Sequence, residues 1–371
     1  MKSRFLLAGP LALSISSYAA AQSTQPTSAQ LWLTTANRSA VLALQGTPVR
    51  FTETSTTDRT ITVNDMEQYQ SIEGFGFAVT GGSAELLMRM SAASRAELLR
   101  ETFAPTGDGI HASYIRVSIG SSDMNDHPYT YDDMPAGQTD PQLSHFSLAV
   151  DRDTVISVLK QILAINPNIQ ILGSPWSAPA WMKTNDDLKG GHLKPEDYAV
   201  YAKYFVKYIE VMQAEGIHLS AITVQNEPLN PKNTPSMAVF APEEDRFIAN
   251  DLGPAFARAG IHTGIQVYDH NPDVPSYPLL ILADPNASKY VEGTAFHLYG
   301  GAADTFTKVH NLYPRKDLFM TEQSVTQNPD SSSLDIAEPV DRVLIGATRN
   351  WSRNVLLWNL AADPPGRAAY R

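Results

Sequence analysis

The sequence has no cysteine, which removes disulfides, zinc–thiolate centres and thiol nucleophiles together. Cationic side chains are in the minority, 28 Lys+Arg against 39 Asp+Glu, for a net charge of −11. Binding to phosphate backbones is driven by clustered Lys and Arg, and with no basic run anywhere a nucleic-acid partner is excluded. No stretch approaches the ~20 apolar residues of a spanning helix, so no transmembrane segment is expected. Neither a repeat of about 20–50 residues nor a Gly-x-Ser-x-Gly nucleophile motif occurs. What is present is 371 residues, 43% hydrophobic and 18% charged, enough for a large core in a globular chain.

The first residues carry Lys2 and Arg4, then apolar Phe5 to Ile15, then Tyr18-Ala-Ala-Ala21. Basic, apolar and small residues in that order predict a secretory signal over 1–21 with cleavage near Ala21, and so a secreted or periplasmic protein.

After the polar segment Ser23–Gln30, short strands are expected at Leu31–Thr35, Ser39–Leu44 and Thr60–Asn64. From Tyr69 onward, eight apolar runs alternate with helical patterns: Ser71–Phe77, Tyr114–Ile119, Ile169–Gly173, Ala221–Gln225, Ile265–Tyr268, Gly293–His297, Leu318–Thr321 and Val355–Trp358. The clearest helix opens at Pro195 and ends near Gly216; Asp153–Ile165, Glu243–Ala259 and Glu338–Trp351 are further helical stretches. Eight strands separated by helices predict an α/β fold, a (β/α)8 TIM barrel whose strands are buried on both faces and need not alternate. An open doubly wound sheet is the competing architecture.

In such a barrel the chemistry sits at the C-terminal strand ends. The polar and aromatic residues there are Arg116, Asp123, Trp176, Asn226, Glu227, His270, His297, Tyr299, Glu322, Trp358 and Asn359. Aromatic faces, amides and carboxylates are the material of a sugar site. Thr223-Val-Gln-Asn-Glu-Pro228 ends the fourth strand, with Pro228 unable to extend a ladder, and Leu318-Phe-Met-Thr-Glu-Gln323 ends the seventh. A carboxylate closing a buried strand costs desolvation unless it has a partner or a task. Glu227 and Glu322 therefore match the pair of a retaining glycosidase, with carboxyls about 5–5.5 Å apart. The proton donor of such a pair needs a raised pKa, which an ionised neighbour supplies. The competing account is two independently salt-bridged core carboxylates. Trp176 and Trp181 could equally be core, His270 and His297 structural or substrate-adjacent. The polar loop Gly120-Ser-Ser-Asp-Met-Asn-Asp-His127 could bind hydroxyls, its spacing fitting no standard metal-ligand pattern.

These motifs, with Gln70-Ser-Ile-Glu-Gly-Phe-Gly76, Tyr114-Ile-Arg-Val, Ser174-Pro-Trp-Ser-Ala-Pro-Ala-Trp-Met-Lys183, Phe296-His-Leu-Tyr-Gly-Gly301 and Trp358-Asn-Leu, occur in fixed order between Tyr69 and Pro364. In them the chain resembles glycoside hydrolase family 30, in the branch of glucosylceramidases and endo-β-1,6-glucanases. The resemblance implies Glu227 as acid/base and Glu322 as nucleophile, with Arg116, Asp123, Trp176, Asn226, His297, Tyr299 and Trp358 binding substrate. It also implies a barrel joined to a side β-sandwich, retaining chemistry on β-glucosidic bonds, and no metal or cofactor. The substrate would be a β-glucan or β-glucoside, glycolipid-linked glucose included. β-Xyloside or β-fucoside specificity on the same carboxylates, or an inactive sugar-binding barrel, are the alternatives. The organisation expected is a signal at 1–21, sandwich strands at 22–66 and the barrel at 67–371. Val79 and Gly81 stand where relatives often carry Phe and Asp, so the first strand loop should be shaped differently. The chain stops at residue 371, soon after Asn359, where relatives continue into a last helix and returning sandwich strands. The outer side of Val355–Leu357 is then expected to be uncovered.

Overall fold

The computed structural model describes residues 27–325, apart from 36, 38, 53–56 and 58, together with 339–363. The expected signal and the end from Pro364 lie outside the described residues. The chain divides into two units, 1–67 and 68–371.

In the first unit Ser28–Ala29 pairs antiparallel with Val49–Arg50, and Trp32–Leu33 with Ala43–Leu44. The strands expected at 31–35 and 39–44 are thus two-residue ladders. Thr60–Asn64 is not a strand. Its alternating Thr, Ile and Val favour a pleated surface that only a neighbouring strand supplies, and Ile61 and Val63 stay 91% and 85% exposed. Trp32, Leu42 and Phe51 are exposed as well, an uncovered apolar set of the kind that promotes association.

The second unit is a closed barrel of eight parallel strands: β1 (Gly74–Ala78), β2 (Tyr114–Ile119), β3 (Gln170–Pro175), β4 (Ala221–Thr223), β5 (Gly264–His270), β6 (Val291–His297), β7 (Asp317–Glu322) and β8 (Ser352–Leu357). Neighbours in sequence pair, and β8 closes on β1 with Val355 opposite Phe75. The open-sheet alternative is thereby ruled out. Helices α1 (Gly81–Arg89) and α2 (Ala92–Phe103) follow β1, α3 (Val155–Ile165) follows β2 and α4 (Tyr198–Ala214) follows β3. After β4 come α5 (Ala241–Phe247) and α6 (Gly253–Ala259), after β5 α7 (Ser276–Ala283) and α8 (Pro285–Ser288), after β6 α9 (Asp304–Leu312), and after β7 α10 (Gly346–Arg349).

The helix expected over 243–259 is two helices joined by a π-type turn at Ile248–Leu252. Pro254 lacks the amide that would continue the ladder, and the wider turn accommodates it. Likewise 338–351 opens in the described residues as a π-type segment, Pro339–Ile345, before α10. Outward-facing strand residues pack on the helices in one continuous core, including Ile115, Ile171, Ile222 and Val355. The inward floor is a separate cluster of Tyr114, Leu172, Ala221 and Leu356. Two residues further along three of these strands the inward layer turns polar, at Arg116, Ser174 and Thr223, because side chains of one strand face the same way at every second position. Val355 is 1% exposed and Leu357 half-buried against the core, so the uncovered outer face expected of β8 is not found. Past β8 the chain is tied to β1 and α1, with Leu360 N–H donating to the Ala78 carbonyl and Ala361 N–H to Ser83 Oγ.

Candidate active site

Past the β4 ladder the chain keeps its inward heading through two amides. Asn226 N–H donates to the Pro175 carbonyl at 2.8 Å and Glu227 N–H to the Asp269 carbonyl at 3.0 Å. Glu227 has φ 45°, an uncommon conformation for a residue with a side chain and one that surroundings must hold. Its Oε2 accepts from Asn230 Nδ2 at 2.7 Å. Glu322 ends β7, and its Oε2 accepts from Arg116 Nη1 at 2.6 Å while its Oε1 accepts from the Tyr299 hydroxyl at 2.9 Å.

One imidazole faces both carboxylates: His297 Nδ1 lies 3.3 Å from Glu227 Oε1 and 3.7 Å from Glu322 Oε1. Those two oxygens can be no further apart than the two contacts laid end to end, which falls well short of about 9 Å, the wide end of the inverting range. Behind them Asp269, with no exposure, joins the set: its Oδ1 meets His297 Nε2 at 3.1 Å and the Thr321 hydroxyl at 2.6 Å, and its Oδ2 meets Arg116 Nη2 at 2.7 Å. Arg116 also donates to Asn226 Oδ1 at 2.7 Å and Ser174 Oγ at 3.1 Å, which satisfies a guanidinium wholly removed from water.

Two buried cations among three carboxylates set the protonation states. Burial opposes charge on His297, but Glu322, Asp269 and Glu227 outweigh it and push the imidazole up to about 10. Burial would raise Asp269 too; Arg116 and His297 hold it far below the carboxylate range. For Glu227, burial is overcome by the hydrogen bond and charge of His297, and its pKa is held down to about 2. Glu322 goes the other way, raised by burial against His297 and Arg116. The raised pKa expected for Glu227 is therefore reversed, because the His297 imidazolium at 3.3 Å and the Asn230 hydrogen bond outweigh burial.

The carboxylates open into a cavity of about 420 Å³, lined also by Asp123, Trp176, Asn226, Tyr299 and Trp358. Trp176 is 2% exposed, its ring 4.9 Å from the Arg116 guanidinium and 5.5 Å from Trp358, so it is at once core and cavity wall. Asp123 Oδ2 accepts from Asn233 Nδ2 at 3.1 Å, Oδ1 has no partner, and burial pushes the group up to about 6. Arg116 and His297 sit behind the carboxylates without exposure and line no part of the cavity. Trp181 is core, its Nε1 donating to the Asp132 carbonyl at 3.0 Å. His270 stands 3.8 Å from Glu227, lowered by burial and by His297. Among the described residues Glu227, His270 and His297 could bring three ligand atoms within 4.8 Å of one another for a metal ion. With a proton on each nitrogen His297 has no lone pair to offer one.

Asp269 went unnoticed in the sequence. The rule that found Glu227, a polar residue after an apolar run, applies to it equally at Tyr268-Asp269-His270. Asn230 and Asn233 lie in an aperiodic loop that carries no such signal.

Residues 72–370 match the glycosyl hydrolase family 30 TIM-barrel domain. The chain belongs to this family. It is 36% identical over 334 residues to an endo-1,6-β-D-glucanase of Neurospora crassa, covering 87% of this chain and 68% of the relative. It is 38% identical to endo-1,6-β-D-glucanase BGN16.3 of Trichoderma harzianum, over 80% of this chain and 62% of the relative. Against the lysosomal acid glucosylceramidase of Mus musculus it is 32% identical, over 82% of this chain and 62% of that protein. The chain thus spans 62–68% of the length of these family 30 relatives. The solved structure of the endo-β1,6-glucanase BT3312 superposes with a TM-score of 0.81 at 37% identity, covering 89% of this chain and 74% of that one.

Proposed function

We propose that this protein is a retaining β-glycosidase that cleaves β-1,6-linked glucan. The observation that carries the reading is the single imidazole facing both strand-end carboxylates, which gathers Glu227 and Glu322 at one point of the barrel mouth, the pairing that double displacement uses. Glu322, oriented by Arg116 and Tyr299, attacks the anomeric carbon and forms a glycosyl ester. Glu227 gives a proton to the leaving oxygen, then takes one from the water that cleaves the ester. With its own pKa held down, Glu227 takes the proton it gives from a neighbour, and the one on His297 Nδ1 stands 3.3 Å from its Oε1. Asp123 and the amide of Asn226 would bind hydroxyls, and Trp176 and Trp358 would face the ring.

The glucanase relatives support the β-1,6 linkage. Export is supported by the residue order of 1–21, and a side sandwich by the short ladders of the first unit. The test is the purified protein assayed on β-1,6-glucan, gentiobiose, glucosylceramide and aryl β-glucosides, with the anomer formed first followed by NMR. Release of the β-anomer from β-1,6-glucan is expected. First release of the α-anomer, or turnover of glucosylceramide alone, would overturn the mechanism or the substrate respectively. Export predicts a mature N-terminus near Gln22.

A further inference from the structure

Tyr268 and Asp269 have φ of 79° and 51°, and Asp269 is the extra residue of a bulge: Ala295 of β6 pairs with Tyr268 and Phe296 with His270. Neither residue is glycine, so the bend exists only where its surroundings hold it. Its holder is Glu244, in the first turn of α5, 1% exposed and no part of the cavity wall. Oε1 of Glu244 accepts the Tyr268 amide N–H at 3.2 Å, and Oε2 lies 2.6 Å from the Tyr277 hydroxyl, itself 2.9 Å from the Val239 carbonyl. The hydroxyl has one proton for two acceptors. A proton on Glu244 resolves this, running from Glu244 to Tyr277 and from Tyr277 to Val239. Burial favours that state, pushing the carboxyl up to about 7. On the other side of the bend, the Asp269 carbonyl accepts the amide of Glu227, the third strained residue.

We propose that Glu244 is a positioning residue for Glu227: by gripping the Tyr268 amide from outside the barrel it maintains the Tyr268–Asp269 bend, and through the Asp269 carbonyl sets where the Glu227 carboxyl stands. The inference rests on Glu227 being the acid/base. Losing the grip lets the bend relax and moves the proton donor, and displacements of about 1 Å cost up to about 100-fold in rate.

The experiment compares kcat/KM, which reports formation of the glycosyl ester, on β-1,6-gluco-oligosaccharides, whose leaving group needs a proton, with kcat/KM on a dinitrophenyl β-glucoside, whose leaving group does not. Glu244→Met should lose about 10- to 100-fold in kcat/KM on the first and far less on the second, while on the second kcat and KM fall together because Glu227 also serves the water step. Glu244→Gln should restore the ratio, since its carbonyl accepts from Tyr268 and its amide donates to Tyr277. Tyr277→Phe, which leaves the Tyr268 contact in place, should shift the ratio in the same direction by less, and decides the matter if Glu244→Met does not fold. An unchanged ratio in the folded variants, or no rescue by Gln, overturns the inference. Glu227→Gln is run beside them: equal losses on both substrates there would overturn the acid/base reading and this inference with it, whereas a selective loss in Glu227→Gln without one in Glu244→Met overturns this inference alone.

Discussion

Asp269 and Arg116 meet at 2.7 Å with neither side chain open to water. A buried ion pair is stable only while both members remain, and here the pair also carries the two functional carboxylates: Arg116 donates to Glu322, and Asp269 fixes the His297 that faces Glu227. Disturbing the rear of the site should therefore disturb the front.

Replacing Asp269 by Asn keeps the shape and removes the charge. Arg116 is then left partly uncompensated, a loss of about 3–5 kcal/mol by the usual cost of breaking a buried pair. The melting temperature should fall by several degrees, and turnover should drop on every substrate because both carboxylates are affected. A variant as stable and active as the parent would show the pair to be incidental.

The two carboxylates should respond differently to truncation. Glu322→Ala should abolish turnover on all substrates, whereas Glu227→Ala should spare aryl glycosides with good leaving groups by about 10²-fold or more relative to poor ones. Equal losses on both classes of substrate would sink the assignment of roles.

Stability should depend on pH through His297 with a definite sign. Its pKa is raised from 6.5 to about 10, so its contribution is complete below pH 6.5 and disappears as pH rises through about 10. Glu227, lowered from 4.5 to about 2, acts in the opposite sense: its contribution is present above 4.5 and is lost as pH falls toward 2. Thermal melts from pH 3 to 10 should show both limbs, with the alkaline limb flattened in His297→Gln. A parent protein whose melting temperature is constant from pH 6.5 to 10 would refute the first part.

Gly81 begins α1, and a Cβ there would stand 2.0 Å from Asn125 Nδ2. The side chain of Asn125, which accepts from Ser122 N–H at 2.9 Å, occupies the space a larger residue would need. Gly81→Ala should cost about 1–3 kcal/mol, and Asn125→Ala should absorb part of that cost in the double variant. Additive losses in chemical denaturation would show the two sites to be independent.

The barrel strands were legible because most are covered on both faces, so a run of Val, Ile and small residues reports burial directly; β1, with Phe75 exposed, is the exception. Tyr114–Ile119 has the same bounds in sequence and structure, and α4, which follows the 3-10 turn that Pro195 opens, shows its buried stripe at helical spacing. Glu227 and Glu322 were legible as polar residues closing such runs. Thr60–Asn64 was misread because a strand needs a partner, and pairing is no property of one segment. Asp269 closes an apolar run as Glu227 does, but its role shows only once Arg116, 153 positions away, is brought against it. The order of the pKa values of Glu227 and Glu322 was likewise unreadable, since it depends on how close one imidazole lies to each. The local pattern of apolar and polar residues thus determined the barrel and the carboxylates at its mouth. Only the closed fold decided how they are charged, because electrostatic interaction depends on distance through space and desolvation on what surrounds each group.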